Sequence, residues 1–240
     1  MTEAPRHPPQ RILVAISGSQ EFHMTIDAAV SLAAGFGTAL QCVIVEHEDL
    51  MALTRLPFAR TFGRSGMSSA VTLEGVTGYF RRLARSVEHE LGERCTRFNV
   101  RWTLARPQGD YVRELVASVE HGDVVVVSRG DASADPGALL AMFNTILEKA
   151  AAVVIPAAKP PKGGRVLALS GGTMDGKARA LAHDIALATG RQLAVVPPTE
   201  FLTSGRHAAI VVAPIEFAEV MGATRFLHSI EAMGAAAVLV

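Results

Sequence analysis

A short apolar run that ends in small residues, and that recurs later in the chain, most constrains the fold. Residues 11–16 read Arg-Ile-Leu-Val-Ala-Ile; Ser17-Gly18-Ser19 follows, and then a helix-like stretch over about 22–34. Runs of this kind that break at small residues are typical of buried parallel strands entering a crossover helix. Shifted by 153 positions without a gap, Ser17 falls on Ser170 and the apolar pattern is kept. The sequence therefore predicts two copies of one strand–turn–helix unit.

A second gapless match, with an offset of 85, joins the far ends of the two copies. Residues 123–127 match 208–212, and residues 151–155 match 236–240. The change of offset (153 minus 85) means that the second copy lacks 68 residues of the first. We therefore predict a disordered tail at 1–10, a first domain at 11–157, a linker at 158–164 and a condensed second repeat at 165–240.

Alternating strand and helix patterns predict a doubly wound, parallel α/β sheet. In the first domain we expect strands at 11–16, 40–45, 99–104, 123–128 and 151–155, helices at 22–34, 111–119 and 138–149, and a long helix with apolar positions from Leu73 to Leu91 that ends near Cys95. The segment from 50 to 69 shows neither period and is expected to be irregular. Ligands of such sheets bind beyond the carboxyl ends of the strands.

The last strand, 235–240, is apolar and would expose a sheet edge unless it is paired. We expect it to pair with 151–155 of the same chain, which would make the two repeats an intrachain pseudo-dimer. A homodimer through the same strand is the alternative.

Composition and charge narrow the classes of function. Among 240 residues, 23 basic side chains balance 23 acidic ones, so no overall field favours nucleic acid or an anionic membrane. No apolar stretch reaches the ~18 residues of a membrane span, and the polar start does not resemble a signal peptide. The two cysteines do not suggest a disulfide framework. A cytoplasmic protein without a membrane span is expected.

The outer strands of the first domain carry a family resemblance. Val-Ala-Ile-Ser-Gly-Ser at 14–19, the order of elements, and Ala-Val-Val-Ile-Pro at 152–156 resemble the universal stress protein family. That family belongs to the adenine-nucleotide alpha-hydrolase-like α/β folds. The resemblance covers 11–157 in full and 165–240 in shortened form, as in tandem members of the family. It implies the strand order 3-2-1-4-5, with a nucleotide lying over strands one and four.

The resemblance also implies a ligand site where strands one, two and four end. Its cofactor-binding residues would be Ser17, Gly18, Ser19, Val45, Ser128, Arg129 and Gly130. Nucleotide-binding members of the family carry Asp at the position of Ser17, and a glycine-rich phosphate loop after strand four. Here Gly130 fits the first glycine of that loop, but Ser133 replaces the second and Phe143 stands at the third. A phosphate cradle needs convergent N–H donors with nothing bulky in the way, so ATP binding is expected to be weak or absent.

We therefore interpret the chain as a stress-type regulatory or binding protein with a remodelled or vestigial nucleotide pocket and no assigned catalysis. The alternative is a universal stress protein that binds ATP or AMP and hydrolyses ATP slowly. The partner, a protein or a small molecule, is left open.

Two further groups of residues are candidates for contact with an anion or a partner. Gly171 to Lys177 has the spacing of a P-loop between a strand and a helix, but Ala178 stands where Ser or Thr would bind Mg²⁺. Lys177 is therefore expected to make a simple anion contact. The loop residues Arg55, Arg60 and Arg64 are expected to recognise an acidic partner or a phosphorylated ligand.

No metal site is predicted. The run at 46–49, Glu-His-Glu-Asp, contains metal-type ligands, but successive residues of an extended chain point to opposite faces. A solvated strand end is the favoured interpretation of this run.

Overall fold

The computed structural model describes residues 9–18, 22–62, 68–128, 135–158, 163–170 and 175–240. Its strands are β1 Arg11–Ile16, β2 Ala39–Ile44, β3 Glu46–His47, β4 Arg60–Phe62, β5 Ser68–Ala70, β6 Trp102–Ala105, β7 Gln108–Gly109, β8 Val124–Val127, β9 Ala152–Ile155, β10 Arg165–Leu169, β11 Leu193–Val196, β12 Ala208–Ala213 and β13 Ala236–Leu239. Its α-helices are α1 Phe22–Phe36, α2 Glu48–Leu53, α3 Leu73–Phe98, α4 Tyr111–Ser118, α5 Pro136–Leu147, α6 Asp175–Thr189, α7 Phe201–Ser204, α8 Ile215–Met221 and α9 Ala223–Met233.

In the described part of the chain, one nine-stranded sheet runs through the molecule in the order β11-β10-β12-β13-β9-β8-β1-β2-β6. The strands β6-β2-β1-β8-β9 are parallel and have the predicted order 3-2-1-4-5. These strands are apolar because helices cover both faces of the sheet; all four residues of β8 are buried. The predicted fold class, a doubly wound α/β sheet, is confirmed.

The second half of the sheet has the same order without a third strand. Its parallel strands β11-β10-β12-β13 occupy the positions 2-1-4-5. β13 then pairs antiparallel with β9, and Val238 lies opposite Val154. The predicted pairing of the last strand with 151–155 is confirmed. The descent of both halves from one duplicated unit, and the domain boundaries that follow from it, stay predictions.

Helices pack on both faces of the sheet, and β1 shows how the sequence divides between them. Ile12, Val14 and Ile16 belong to an apolar cluster with α1, α3 and α6. Leu13 and Ala15 belong to a second cluster with α4, α5, α8 and α9. Each cluster contains residues from both halves of the sheet, so the core is continuous across the predicted domain boundary.

The interval between β2 and α3 is more regular than predicted, which corrects the sequence analysis. It contains α2, and β4 pairs antiparallel with β5. These elements are six residues and three residues long, too short for an apolar period to develop. α3 continues to Phe98, because Cys95 extends its buried stripe past Leu91. Asn99, left-handed at φ 54°, caps this helix, so the third strand begins at Trp102 instead of 99.

The predicted tail and linker lie in large part outside the described residues and stay predictions. Gln10 already lies against the sheet: its N–H donates to the carbonyl of Gly122 at 3.4 Å, and its carbonyl accepts from Thr38 at 2.7 Å. None of the helices in the described ranges is long and apolar enough to cross a membrane.

Candidate functional site

The carboxyl ends of β1, β2 and β8 bring three of the predicted site residues to one edge of the sheet. β1 pairs in parallel register with β2 on one side and with β8 on the other, so the three strands end together. Ser17, Val45 and Ser128 are the residues that directly follow these strands. Val45 and Ser128 are fully buried, whereas Ser17 is half-buried. Ser17 is therefore the residue of these three that a ligand can reach from solvent.

Tyr79 of α3 covers the end of β1. Its hydroxyl donates a hydrogen bond of 2.6 Å to the carbonyl oxygen of Gly18. Gly18 has φ +106°, and a Cβ added there would collide with the Tyr79 hydroxyl and lie 3.6 Å from Leu83. Glycine alone allows both this backbone and this approach. Partial burial raises the pKa of the Tyr79 hydroxyl, which keeps it a neutral donor.

The helix that follows β8 begins with an acidic cap. Asp135 is the N-cap of α5, and its Oδ1 accepts a hydrogen bond of 2.9 Å from the N–H of Gly137. A helix N-terminus attracts anions because its first N–H groups are free and its dipole is positive there. In this chain a carboxylate of the protein itself occupies that position.

Phe143 lies inside α5, at 0% exposure, in the second apolar cluster. Its N–H belongs to the hydrogen-bonded backbone of the helix and cannot turn toward a ligand. The position that corresponds to the third glycine of the family's phosphate loop is therefore a core residue. Four other residues that the sequence analysis discusses here, Ser19, Arg129, Gly130 and Ser133, lie outside the described residues.

The basic residues predicted to contact an anion or a partner lie in two places. Arg55 is exposed between α2 and β4, close in sequence to Phe58, which is 77% exposed. Arg60 lies in β4 and hydrogen-bonds across to β5. Lys177 is exposed in the first turn of α6, in the other half of the chain, and Arg64 is outside the described residues. Their contact with a partner or an anion stays a prediction.

The acidic run after β2 is a solvated strand end only in part: Glu48 and Asp49 are exposed at the start of α2, whereas Glu46 and His47 are half-buried. Glu46 and His47 form β3, which pairs with β7. Glu46 forms an ion pair with Arg106, and the His47 ring stacks on Tyr111 with 5.5 Å between centroids. In the described ranges, no group of three or more His, Cys, Asp or Glu side chains is arranged to hold a metal ion.

A separate cavity of about 350 Å³ lies between α1 and α6, above β9, β12 and β13. Its lining is mainly apolar, with Asp27 and Arg191 among the polar members. None of the predicted site residues lines it, so it is distinct from the groove at the carboxyl edge.

Tyr79 and Asp135 lie at the carboxyl edge of the sheet, although the sequence does not predict them as site residues. Tyr79 is 61 residues from Gly18 and lies off the apolar stripe of α3, so no spacing connects the two. Asp135 had a local signal, because an Asp directly before a Pro is a common start of a helix.

No family model and no curated protein matches this chain. Among solved structures, a universal stress protein from Archaeoglobus fulgidus superposes with a TM-score of 0.63 at 12% identity and covers 95% of each chain. A functionally unknown protein from Pseudomonas aeruginosa superposes with a TM-score of 0.54 at 13% identity, covering 97% of this chain and 92% of that one. At such identities the likeness concerns the fold alone. This chain therefore has a universal-stress-protein-like fold.

Proposed function

We propose that this chain is a universal-stress-type binding protein whose ligand groove has been remodelled and takes a ligand without a phosphate chain. The groove is the region around Ser17, Gly18, Ser128 and Tyr79 at the carboxyl edge of β1 and β8. The protein acts in regulation by binding and not by catalysis. The universal-stress-protein-like fold supports the type of protein, and the residues of the groove support the remodelling.

The observation that carries the proposal is the carboxylate of Asp135 at the start of α5. It accepts the N–H of Gly137 at 2.9 Å, where a phosphate group would otherwise bind the helix N-terminus. A bound triphosphate would have to displace this carboxylate, and the two negative charges would repel each other. The buried Phe143 further along α5 supports the same conclusion, because it offers no free N–H.

The other end of the groove supports a change of ligand as well. Ser17 offers a hydroxyl where nucleotide-binding relatives carry Asp, so the charge and part of the reach are missing. Tyr79, bonded to Gly18, fills space above the end of β1. A flat, uncharged ligand could stack on this ring and hydrogen-bond to Ser17.

Calorimetric titration of the full chain with ATP and Mg²⁺, AMP and adenosine tests the proposal. The wild-type protein should give no saturable binding of ATP. The variant Asp135→Ser keeps a capping hydroxyl and removes the charge, so its affinity for AMP should rise roughly tenfold, while adenosine should be unaffected.

The matched control is Glu148→Gln, which removes the same charge from the exposed C-terminal cap of α5. It should bind AMP as the wild type does. Micromolar binding of ATP by the wild-type chain, or nucleotide absorbance released from the purified protein on denaturation, would contradict the proposal. Either result would favour the alternative, an ATP-binding protein with slow hydrolysis.

A further inference from the structure

At the amino-terminal edge of the first half, a buried acid holds a basic residue in place. Arg11 at the start of β1 donates from Nε to Asp123 Oδ1 at 3.2 Å and from Nη2 to Asp123 Oδ2 at 2.6 Å. Asp123 is 1% exposed, and Arg11 also donates to the carbonyl of Ser118 and to the side chain of Gln41. A bidentate pair of this kind satisfies both charges.

The second half has the basic residue without the acid. Arg165 begins β10, and strand register places it opposite Ala208. The register of β1 with β8 pairs Ile12 with Val124, which places Arg11 beside Asp123, whereas the pairing of β10 with β12 is irregular between Arg165 and Val166. Arg165 donates from Nη2 to the carbonyl of Ser204 at 3.2 Å, but its Nε is buried without a hydrogen-bond partner. A buried, unpaired donor on a charged group is costly, and no ion pair with a carboxylate of the described residues offsets the charge of Arg165, so an anion bound beside its guanidinium group would stabilise it.

Two further basic side chains lie beside Arg165. Arg191 donates from Nη1 to the carbonyl of Gly164 at 2.9 Å, and His207 comes close on the other side. Gly164 has φ +104°, and a Cβ there would lie 3.0 Å from the carbonyl of His207, so glycine permits this approach. Together with neighbouring glycines these residues line an open cup of about 720 Å³. In the described part of the chain, the wall of this cup contains no carboxylate.

We propose that this cup, defined by Arg165, Arg191 and His207, binds the phosphate group of a small phosphorylated ligand. The phosphate supplies an anionic partner for Arg165, as Asp123 does for Arg11 in the first half. A guanidinium group can form two parallel hydrogen bonds to phosphate oxygens. Two guanidinium groups together favour an anion with more than one negative charge. The cup is at the amino-terminal end of β10, in the other half of the sheet from the groove around Ser17, so this site is separate from the one in the proposed function.

Titration of the full chain with inorganic phosphate and with glycerol phosphate tests the inference, at constant ionic strength set by chloride. Both probes should bind saturably and raise the melting temperature with concentration, because a ligand of the native state stabilises it. Arg191→Gln should weaken both at least tenfold, the loss expected for a charge-assisted hydrogen bond.

The decisive variant is Ala208→Asp, which introduces a carboxylate at the position opposite Arg165 in the pairing of β10 with β12. It should weaken phosphate binding at least tenfold without lowering the melting temperature in phosphate-free buffer. The matched control is Arg179→Gln, which removes an exposed charge from α6 and should change affinity less than twofold.

Absence of saturable binding to the wild type would overturn the inference. So would wild-type affinity in both Arg191→Gln and Ala208→Asp. If Ala208→Asp fails to fold, His207→Gln with Arg191→Gln decides the question, since both should weaken phosphate binding while Arg179→Gln does not.

Discussion

Two buried thiols should make this chain less stable at alkaline pH. Cys42 in β2 and Cys95 in α3 are free and fully buried in the same apolar cluster. Burial raises the pKa of the Cys95 thiol to about 11. The pKa of Cys42 is raised still further, by burial first and then by the nearby Cys95. Both thiols therefore stay protonated and unreactive while the chain is folded.

The free energy of unfolding should fall as the pH rises from 9 to about 11, because the Cys95 pKa moves from 9.0 to about 11 on folding. The contribution is fully present below the pKa of the unfolded thiol and is lost as the pH passes the folded one. The hydroxyl of Cys95→Ser does not titrate in this range. The free energy of unfolding of this variant should therefore fall less than that of the wild type, with a difference of at most about 3 kcal/mol. Urea unfolding at pH 8, 9, 10 and 11 measures the difference. Equal slopes for the two proteins would contradict the assignment to Cys95.

Single residues of the groove differ in how far the sequence predicts them. Ser17, Val45 and Ser128 meet at one edge because strands in parallel register end together, and the strand pattern alone predicts that. The contact of Tyr79 with Gly18 depends on the rotation of α3 over the sheet, which apolar spacing does not fix to within one side chain. The burial of Val45 and Ser128 likewise follows from helix packing and not from the strand pattern.

Among the elements, α1 and α6 pack against each other more closely than their sequences indicate. A Cβ built on Gly35 of α1 would lie 2.8 Å from both the Cβ and the carbonyl oxygen of Ala188 in α6. Glycine inside a helix costs about 1 kcal/mol relative to alanine, and the close crossing offsets that cost here.

Gly35→Ala should therefore destabilise the chain by about 1 to 3 kcal/mol, although alanine is the better helix former. The matched control is Gly92→Ala in α3, where a Cβ would meet only Trp102, at 4.0 Å. That variant should be more stable than the wild type by up to about 1 kcal/mol. Chemical unfolding of the three proteins measures both changes. A stabilising Gly35→Ala would show that the two helices do not approach this closely.

Elements with a clear apolar pattern are predictable from the sequence, and short elements without one are not. α3 has enough residues for a period of 3.6 to stand out, and β8 stands out through its unbroken apolar run although it has only four residues. α2, with six residues, and β4 and β5, with three each, show no such period. The strands β4 and β5 form by pairing with each other, as between Arg60 and Ala70. A short stretch of sequence does not reveal such pairing.

The two halves of the molecule are joined by one strand pair of the sheet and by helices that pack across it. β13 pairs with β9, and the apolar clusters on both faces of the sheet include residues from both halves. The two halves therefore share their core, so the chain should unfold in one cooperative transition. The sequence predicts this strand pair from the need to cover an apolar edge, whereas the shared core emerges only from the packing of α1 on α6.

Trp102, the one tryptophan of the chain, lies in β6 at the far edge of the first half and reports on that half. Val238 lies in β13, is 1% exposed and belongs to the second half. Val238→Ala should cost about 2 kcal/mol and lower the melting temperature by roughly 4 to 8 °C. Because the halves share their core, tryptophan fluorescence and circular dichroism should report the same lowered midpoint.

The control is Val220→Ala, at a position that is 89% exposed. By both measurements, its free energy of unfolding should stay within about 0.5 kcal/mol of the wild-type value. Two separated transitions, with Trp102 insensitive to Val238→Ala, would mean that the halves fold independently.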